Sequence, residues 1–447
     1  MKADIAATPQ LAIDTSRDFR IHTVCLQPSP TFPMKIAVIG AGPSGNVCAA
    51  LLAKRGHDVA VFDECKRPDL IVGESLVPGV IPLLRRLGIE EKVAAIGVKK
   101  PGVTFFPALG KKFDFSFSSL PGKFPPYAYN VARPAFDHII EECASSAGVK
   151  RIFHSAKIVA HGDTLKLASE TLASSNLWNG NQPDLVIDAS GRRRVIARLL
   201  DIGAHLGPRR DVSHFAHYEG FSPEMPRGQV RINRLKNGWA WRIPLQGKMS
   251  FGVVMDQKAA AELGGTADER LDAAMKTDPQ LSQETEGARQ VCEAQTYANY
   301  QLVSSRGAGE NWASIGDAFG FVDPMLSPGM MLALQSAEML DKYLSEHPLK
   351  EALEIYSSKI FENLQAWRDL IDYFYDGRIF ELHDHGREFE SKFPYLPLGF
   401  IESFMSRNMS GMASGFTTSS RWSWGVLKNA ERFVLGERCA PSRYAIS

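Results

Sequence analysis

The sequence is poor in the features that mark secreted, membrane-spanning or nucleic-acid-binding chains. Its 447 residues include only six cysteines, Cys25, Cys48, Cys65, Cys143, Cys292 and Cys439, scattered without a CxxC pair or framework spacing. That usage excludes a disulfide scaffold and points to a reducing compartment, so a cytoplasmic location is expected. Charge of either sign is not in excess: 51 Lys and Arg stand against 50 Asp and Glu, a formal net charge of +1. Such a balance gives no electrostatic footprint for nucleic acid or an anionic membrane. No apolar run approaches the ~20 residues of a bilayer span. HExxH, Walker and GxSxG patterns are all missing, which removes the commonest zinc-hydrolase, P-loop and serine-hydrolase readings. His383-Asp384-His385 is an i, i+2 pair, the wrong spacing for one helix face, and reads as surface loop; no metal is expected. Residues 1–33 carry Pro, Ser, Thr and charge but no apolar signal core, and are expected to be a disordered extension.

What is present begins at Met34. Lys35–Ile39 (KIAVI) is short, apolar and β-branched, the pattern of a buried parallel strand. Gly40-Ala41-Gly42-Pro43-Ser44-Gly45 follows, then helical spacing over 46–55 and a second strand, Asp58–Phe62, ending at Asp63. GxGxxG between strand and helix is a dinucleotide fingerprint. Gly40 permits the tight turn, Gly42 lets backbone approach a pyrophosphate, and Gly45 lets helix lie close on strand. Asp63 stands where a carboxylate accepts ribose hydroxyls. FAD and NAD share this opening. Gly316-Asp317-Ala318, between a strand at 312–315 and a helix at 329–344, places the Asp317 carboxylate where ribityl hydroxyls would lie, and favours FAD.

Further along, the pattern predicts helices at 80–87 and 135–147, and strands and a loop over 99–117. It predicts a turn between strands at 169–184 and a buried strand at Leu185–Asp188. Alternation with aromatics over 214–254 reads as antiparallel sheet, 259–292 as helix, and the stretch after His347 as helix, ending in Gly- and Ser-rich loops at 406–420. The fold class is therefore α/β: a doubly wound FAD-binding domain over 34–345, an antiparallel-sheet substrate region inserted at about 100–135 and 214–300, and a helical C-terminal region over 346–447.

Two segments carry a narrower resemblance. Gly238-Trp239-Ala240-Trp241-Arg242-Ile243-Pro244 contains WxWxIP, and Phe321-Val322-Asp323-Pro324-Met325-Leu326-Ser327-Pro328-Gly329 contains FxxPxxSxG. Gly73-Glu74-Ser75, Tyr129-Asn130-Val131-Ala132-Arg133 and Asp188-Ala189-Ser190-Gly191 fall in the same order. From Met34 to Glu338 the chain resembles the flavin-dependent halogenases, whose nucleotide domain is glutathione-reductase-like. The resemblance implies FAD supplied as FADH2 by a separate NAD(P)H-flavin reductase, chloride or bromide as co-substrate, and a small aromatic substrate, free or tethered to a carrier protein. It implies Gly40, Gly42, Ser44, Gly45, Asp63, Arg133, Asp317 and Gly329 at the cofactor, and Ser327 with Gly329 at the halide. It places Lys100, with Lys99 as rival, as the lysine that captures hypohalous acid. Trp239 and Trp241 would keep substrate from the flavin. Glu74 would lie near the flavin and the channel; its other reading is a helix start capped by Ser75.

The resemblance has departures. Where tryptophan-type members carry a Glu before Ser-x-Gly and a Trp after the glycine motif, this chain has Met325-Leu326 and Asn46. An indole would lack its carboxylate partner, so a phenol or pyrrole is expected. Pro328 has no N–H and removes one donor from the halide segment, leaving an altered halide site or an aromatic monooxygenase of the same fold as alternatives. A geranylgeranyl-type reductase is disfavoured by Trp239, and a non-catalytic flavin-binding protein by the intact motifs.

Overall fold

Short runs of small and β-branched residues form the central sheet because both of its faces are covered, so each run is apolar throughout. In the computed structural model, which describes residues 33–446 apart from 65, 67, 69, 108–111, 222–226, 299–300, 393–397 and 437–444, five such strands lie parallel. Their order across the sheet is Trp312–Ser314, Leu185–Asp188, Lys35–Ile39, Asp58–Phe62 and Lys150–Ile152. Lys35–Ile39 sits in the middle, in register with Leu185–Asp188 on one side and Asp58–Phe62 on the other. The extension expected over residues 1–33 lies outside the described residues except for Pro33. No described helix is long and apolar enough to cross a membrane.

A second, mostly antiparallel sheet is built from Asp211–Glu219, Lys248–Asp256, Gly238–Leu245 and Val230–Leu235. Gly102–Phe106 continues it in parallel beside Val230–Leu235, and Phe113–Ser116 closes that edge. The register pairs Trp239 with Val254 and Trp241 with Gly252. Because side chains alternate, the two tryptophans share a face. Gly252 is required there: a Cβ would overlap the Trp241 ring and come within 2.6 Å of the Phe215 Cβ.

Four C-terminal helices complete the fold: Leu349–Tyr375, Arg378–Lys392, Leu398–Ala413 and Arg421–Leu435. In the first, Leu353, Tyr356, Ile360, Leu364, Trp367 and Ile371 recur at helical spacing and are buried, so one stripe faces the core.

Local expectations failed at several places. The 169–184 stretch is not a simple turn but opens with the helix Ser169–Ser175. The single helix expected over 259–292 is three, Gln257–Leu263, Ala267–Met275 and Pro279–Glu284. Asp256, Thr266 and Asp278 each accept N–H groups of a new first turn, Thr266 in a reciprocal box with Glu269. The loops expected from 406 are helical as far as Ala413. His383-Asp384-His385 is within the helix Arg378–Lys392 rather than in a loop, and no cluster of three or more metal-ligating side chains occurs among the described residues.

Gly252→Ala should cost about 1–3 kcal/mol of stability by overpacking. Urea unfolding followed by tryptophan fluorescence checks this, and an unchanged midpoint would show that the Trp241 ring can yield.

Candidate active site

The glycine loop is shaped by close approach. A Cβ on Gly40, whose φ is +105°, would lie 2.5 Å from the Ala189 carbonyl oxygen, and one on Gly45 would overlap the Gly40 carbonyl. Gly42 differs: a Cβ there meets nothing within 4 Å and would project into open space in front of the helix Pro43–Lys54. Asp63 braces the loop by accepting the Ala41 N–H at 2.7 Å. Asn46, on the first turn of that helix, donates to the Ala41 carbonyl at 2.7 Å and is buried. Sequence reasoning saw Asn46 only as a departure; its small amide and its place five residues after Ala41 were the signal for a loop lock.

A cavity of about 260 Å³ opens from this loop. One end is walled by Gly42, Ser44, Arg133 and Asp317. Arg133 is aimed by Asp137, at 2.9 and 3.1 Å, and by the Val72 carbonyl. Burial pushes the Asp317 carboxyl up to about 6, with Arg133 and Arg192 pulling the other way. Gly40, Gly45 and Asp63 are not on the cavity wall; they stand behind it. Asp188 is also withdrawn. Its carboxylate accepts from the N–H of Ser190 at 2.9 Å, the Ser190 hydroxyl at 2.5 Å and the N–H of Ile196 at 2.8 Å, so it organises the turn rather than facing a ligand.

The same cavity reaches Lys100, Glu74, Trp239 and Trp241. Lys100 ends the short strand Val98–Lys100 and is 1% exposed. Its ammonium donates to Ser75 Oγ at 2.8 Å and the Leu76 carbonyl at 3.0 Å. Ser75 is thus a partner of Lys100, not a helix cap. Lys99, the rival, is exposed beside the Tyr127 ring. Burial lowers the Lys100 amine to about 7. Glu74 is buried and lies 2.7 Å from His217 Nε2, a partner that sequence reading missed because it comes from a distant strand. Trp239 and Trp241 stand with ring centroids 5.7 Å apart; Trp241 donates to Ser250 at 3.2 Å. The rest of this end is apolar: Val103, Phe105, Phe115, Phe117, Val230 and Ile232.

Ser327 and Gly329 also line the cavity, where the helix Pro328–Glu346 begins. Leu326 and Ser327 both have left-handed backbone, with φ of +66° and +57°. This is a costly arrangement for two consecutive residues with side chains. It turns the chain so that the uncapped helix N-terminus opens on the cavity.

Residues 120–379 match the family model described as tryptophan halogenase, and 38–69 match an NAD(P)-binding Rossmann-like domain. The chain belongs to the tryptophan halogenase family. It is 28% identical to the tryptophan 2-halogenase of Chondromyces crocatus, over 76% of this chain and 68% of that protein. It is 25% identical to the 1H-pyrrole-2-carbonyl-[peptidyl-carrier protein] brominase of Pseudoalteromonas luteoviolacea (strain 2ta16), over 77% of this chain and 86% of that protein. The solved structure of flavin-dependent brominase Bmp2 has the same fold, with a TM-score of 0.71 and 22% identity over 90% of this chain and all of that one.

This halogenase is therefore an FAD-dependent enzyme, and its residues fit that cofactor. The space before Gly42 is open, a helix N-terminus faces it, and Arg133 and Asp317 line the same cavity.

Lys100 carries a stability signature whose sign is fixed. Its folded value, about 7, lies below that of a free lysine near 10.4. Between these limits the unfolded chain binds the extra proton, so native stability rises with pH through that window and the full cost remains below it. Lys100→Met should exceed the parent by on the order of 3 kcal/mol at pH 6. Denaturant melts at pH 6, 8 and 10 should show the gap narrowing; a gap independent of pH would disprove a strained amine.

Proposed function

We propose that this halogenase uses FADH2, dioxygen and chloride or bromide to halogenate a small electron-rich aromatic ring, a phenol or pyrrole rather than tryptophan. The observation that carries the reading is one cavity walled at once by Gly42, Ser44, Arg133 and Asp317 and by Lys100, Trp239 and Trp241. Gly40, Gly42, Ser44 and Gly45 form the cradle for FAD, with Asp63 towards ribose, Arg133 and Asp317 beyond it, and Gly329 where the helix meets the ring. Bound FADH2 would supply, with dioxygen, the oxidation of halide to hypohalous acid.

The chain's own groups do the rest. The helix N-terminus at Ser327 and Gly329 attracts the halide anion through first-turn N–H groups such as that of Gly329, the Ser327 N–H being given to the Pro324 carbonyl at 3.0 Å. Pro328 occupies the first helical position, where its missing N–H removes one of those donors. Lys100, fixed by Ser75 and Leu76, holds hypohalous acid by hydrogen bonding and presents its halogen to the ring. The ring carbon takes the halogen, and hydroxide leaves with the ring proton as water. Glu74, steadied by His217, is the wall carboxylate that takes the proton from the ring and hands it to that hydroxide, ending neither gaining nor losing a proton. Trp239 and Trp241 block the approach of substrate to the flavin.

The substrate reading is supported by what faces the ring. The apolar residues of the lining favour a compact uncharged aromatic, and Leu326, which lines the cavity just before Ser327, offers no carboxylate to an indole. A phenol or pyrrole brings its own activating heteroatom. Carrier-tethered delivery, as the name of the pyrrole brominase describes for that protein, is a further part of the proposal. So are a separate NAD(P)H-flavin reductase as electron source and a reaction needing no metal. Pro328 supports one second reading, an aromatic monooxygenase with the halide step lost.

The test is the protein with a flavin reductase, NADH, bromide or chloride and a panel of phenols, pyrroles and indoles, read by mass spectrometry. Halogenated phenol or pyrrole is expected, and Lys100→Ala should reduce it at least ~100-fold while FAD stays bound. Hydroxylated products without halogen would replace this reading by the monooxygenase.

A further inference from the structure

The two signature segments are joined through a residue in neither of them. Trp239 donates its indole N–H to the Tyr375 hydroxyl at 2.9 Å. Tyr375, at the end of the helix Leu349–Tyr375, donates in turn to Asp323, 3.1 and 3.2 Å from its two oxygens. Asp323 also accepts the Gln301 side-chain N–H at 2.8 Å and the Met325 backbone N–H at 2.8 Å. Trp239, Tyr375 and Asp323 are 2%, 6% and 1% exposed, so water does not compete for these bonds. Donor directions follow from chemistry. An indole N–H only donates and a carboxylate only accepts, so the phenol must accept from one and give its single proton to the other.

We propose that Tyr375 is a positioning residue of the halogenase site: anchored by Asp323, it fixes the orientation of the Trp239 indole in the cavity wall. Through Met325 the same carboxylate steadies the turn that leads into Leu326, Ser327 and the helix N-terminus. One buried anchor thus sets both the aromatic wall and the anion-facing turn. The hydrogen-bonded chain stands without the halogenation reading; only its effect on product rests on that reading.

Asp323 adds a pH dependence. Burial pushes its carboxyl up to about 7, and the neighbouring Asp211 adds to the rise, against the Met325, Gln301 and Tyr375 hydrogen bonds. The charged groups facing it are Asp211 and Arg209, which are paired with each other at 2.6 Å; Arg209 lies 4.3 Å over the Tyr375 ring. Above about 7 the carboxylate accepts the phenol proton and the chain is ordered. Below it, the acid proton competes to donate to the Tyr375 oxygen, and the indole bond weakens.

The experiment uses the full chain labelled with [15N]tryptophan, with and without FAD. The indole N–H resonance of Trp239, identified by its loss in Trp239→Phe, should move upfield in Tyr375→Phe. Between pH 5.5 and 8.5 it should titrate near 7 in the parent and cease to do so in Asp323→Asn. In the flavin reductase assay, the share of reduced flavin recovered as halogenated product should fall about fivefold in Tyr375→Phe, the ratio for one hydrogen bond. FAD affinity should be unchanged. An indole resonance that ignores Tyr375→Phe, a titration that survives Asp323→Asn, or unchanged recovery of product in an active variant would overturn the inference. If the parent itself makes no halogenated product, the halogenation reading fails and the indole resonance alone decides this one.

Discussion

Much of the site depends on the register in which Gly238–Leu245 is clamped between Val230–Leu235 and Lys248–Asp256. A slip of one residue would send Trp239 and Trp241 to the opposite face and bring other side chains to the cavity. The register is held by complementary bulk, since Trp241 lies opposite Gly252, where any larger residue would collide with its ring. The neighbouring parallel pairing of Gly102–Phe106 with Val230–Leu235 then brings Val103 and Phe105 to the same wall. One strand alignment therefore connects the sheet to the cavity and the cavity to its chemistry.

Around Lys100 and Glu74 the cavity wall is mostly aliphatic and aromatic, which gives the polar groups there their leverage. A buried amine, a buried carboxylate with a His partner, and an uncapped helix terminus interact through little intervening water, so each acts more strongly than it would at a surface. The same burial makes them expensive to keep. Lys100 is displaced towards neutrality by the loss of solvent, and its two hydrogen bonds only partly compensate. Leu326 and Ser327 hold left-handed backbone at the same wall, so strain and buried charge are concentrated where the reaction would occur.

The C-terminal helices are part of this site rather than an appendage. Ile379, Met409 and Ala413 line the cavity, and Tyr375 reaches behind Trp239. Their contribution was hard to read in the sequence, where an amphipathic stripe says that a face is buried but not against what. The short helices within 257–284 were missed for a different reason. Three N-caps restart the chain within one apolar pattern, and caps are local polar signals that periodicity averages away.

The sequence by itself determined the nucleotide-binding opening, the alternation that puts both tryptophans on one face, and the motifs that resemble the halogenases. These are local properties: a glycine's freedom, a strand's period of two, a helix start. It also pointed to Lys100, but only by resemblance, because no local pattern distinguishes a buried lysine from a solvated one. Tertiary structure alone decided that Lys100 is buried against Ser75, that Glu74 meets His217, that Asp188 serves its own turn, and that Tyr375 joins Trp239 to Asp323. Most of these contacts link residues tens to more than a hundred positions apart. Their partners are chosen by sheet register and helix placement, which no short window of sequence contains.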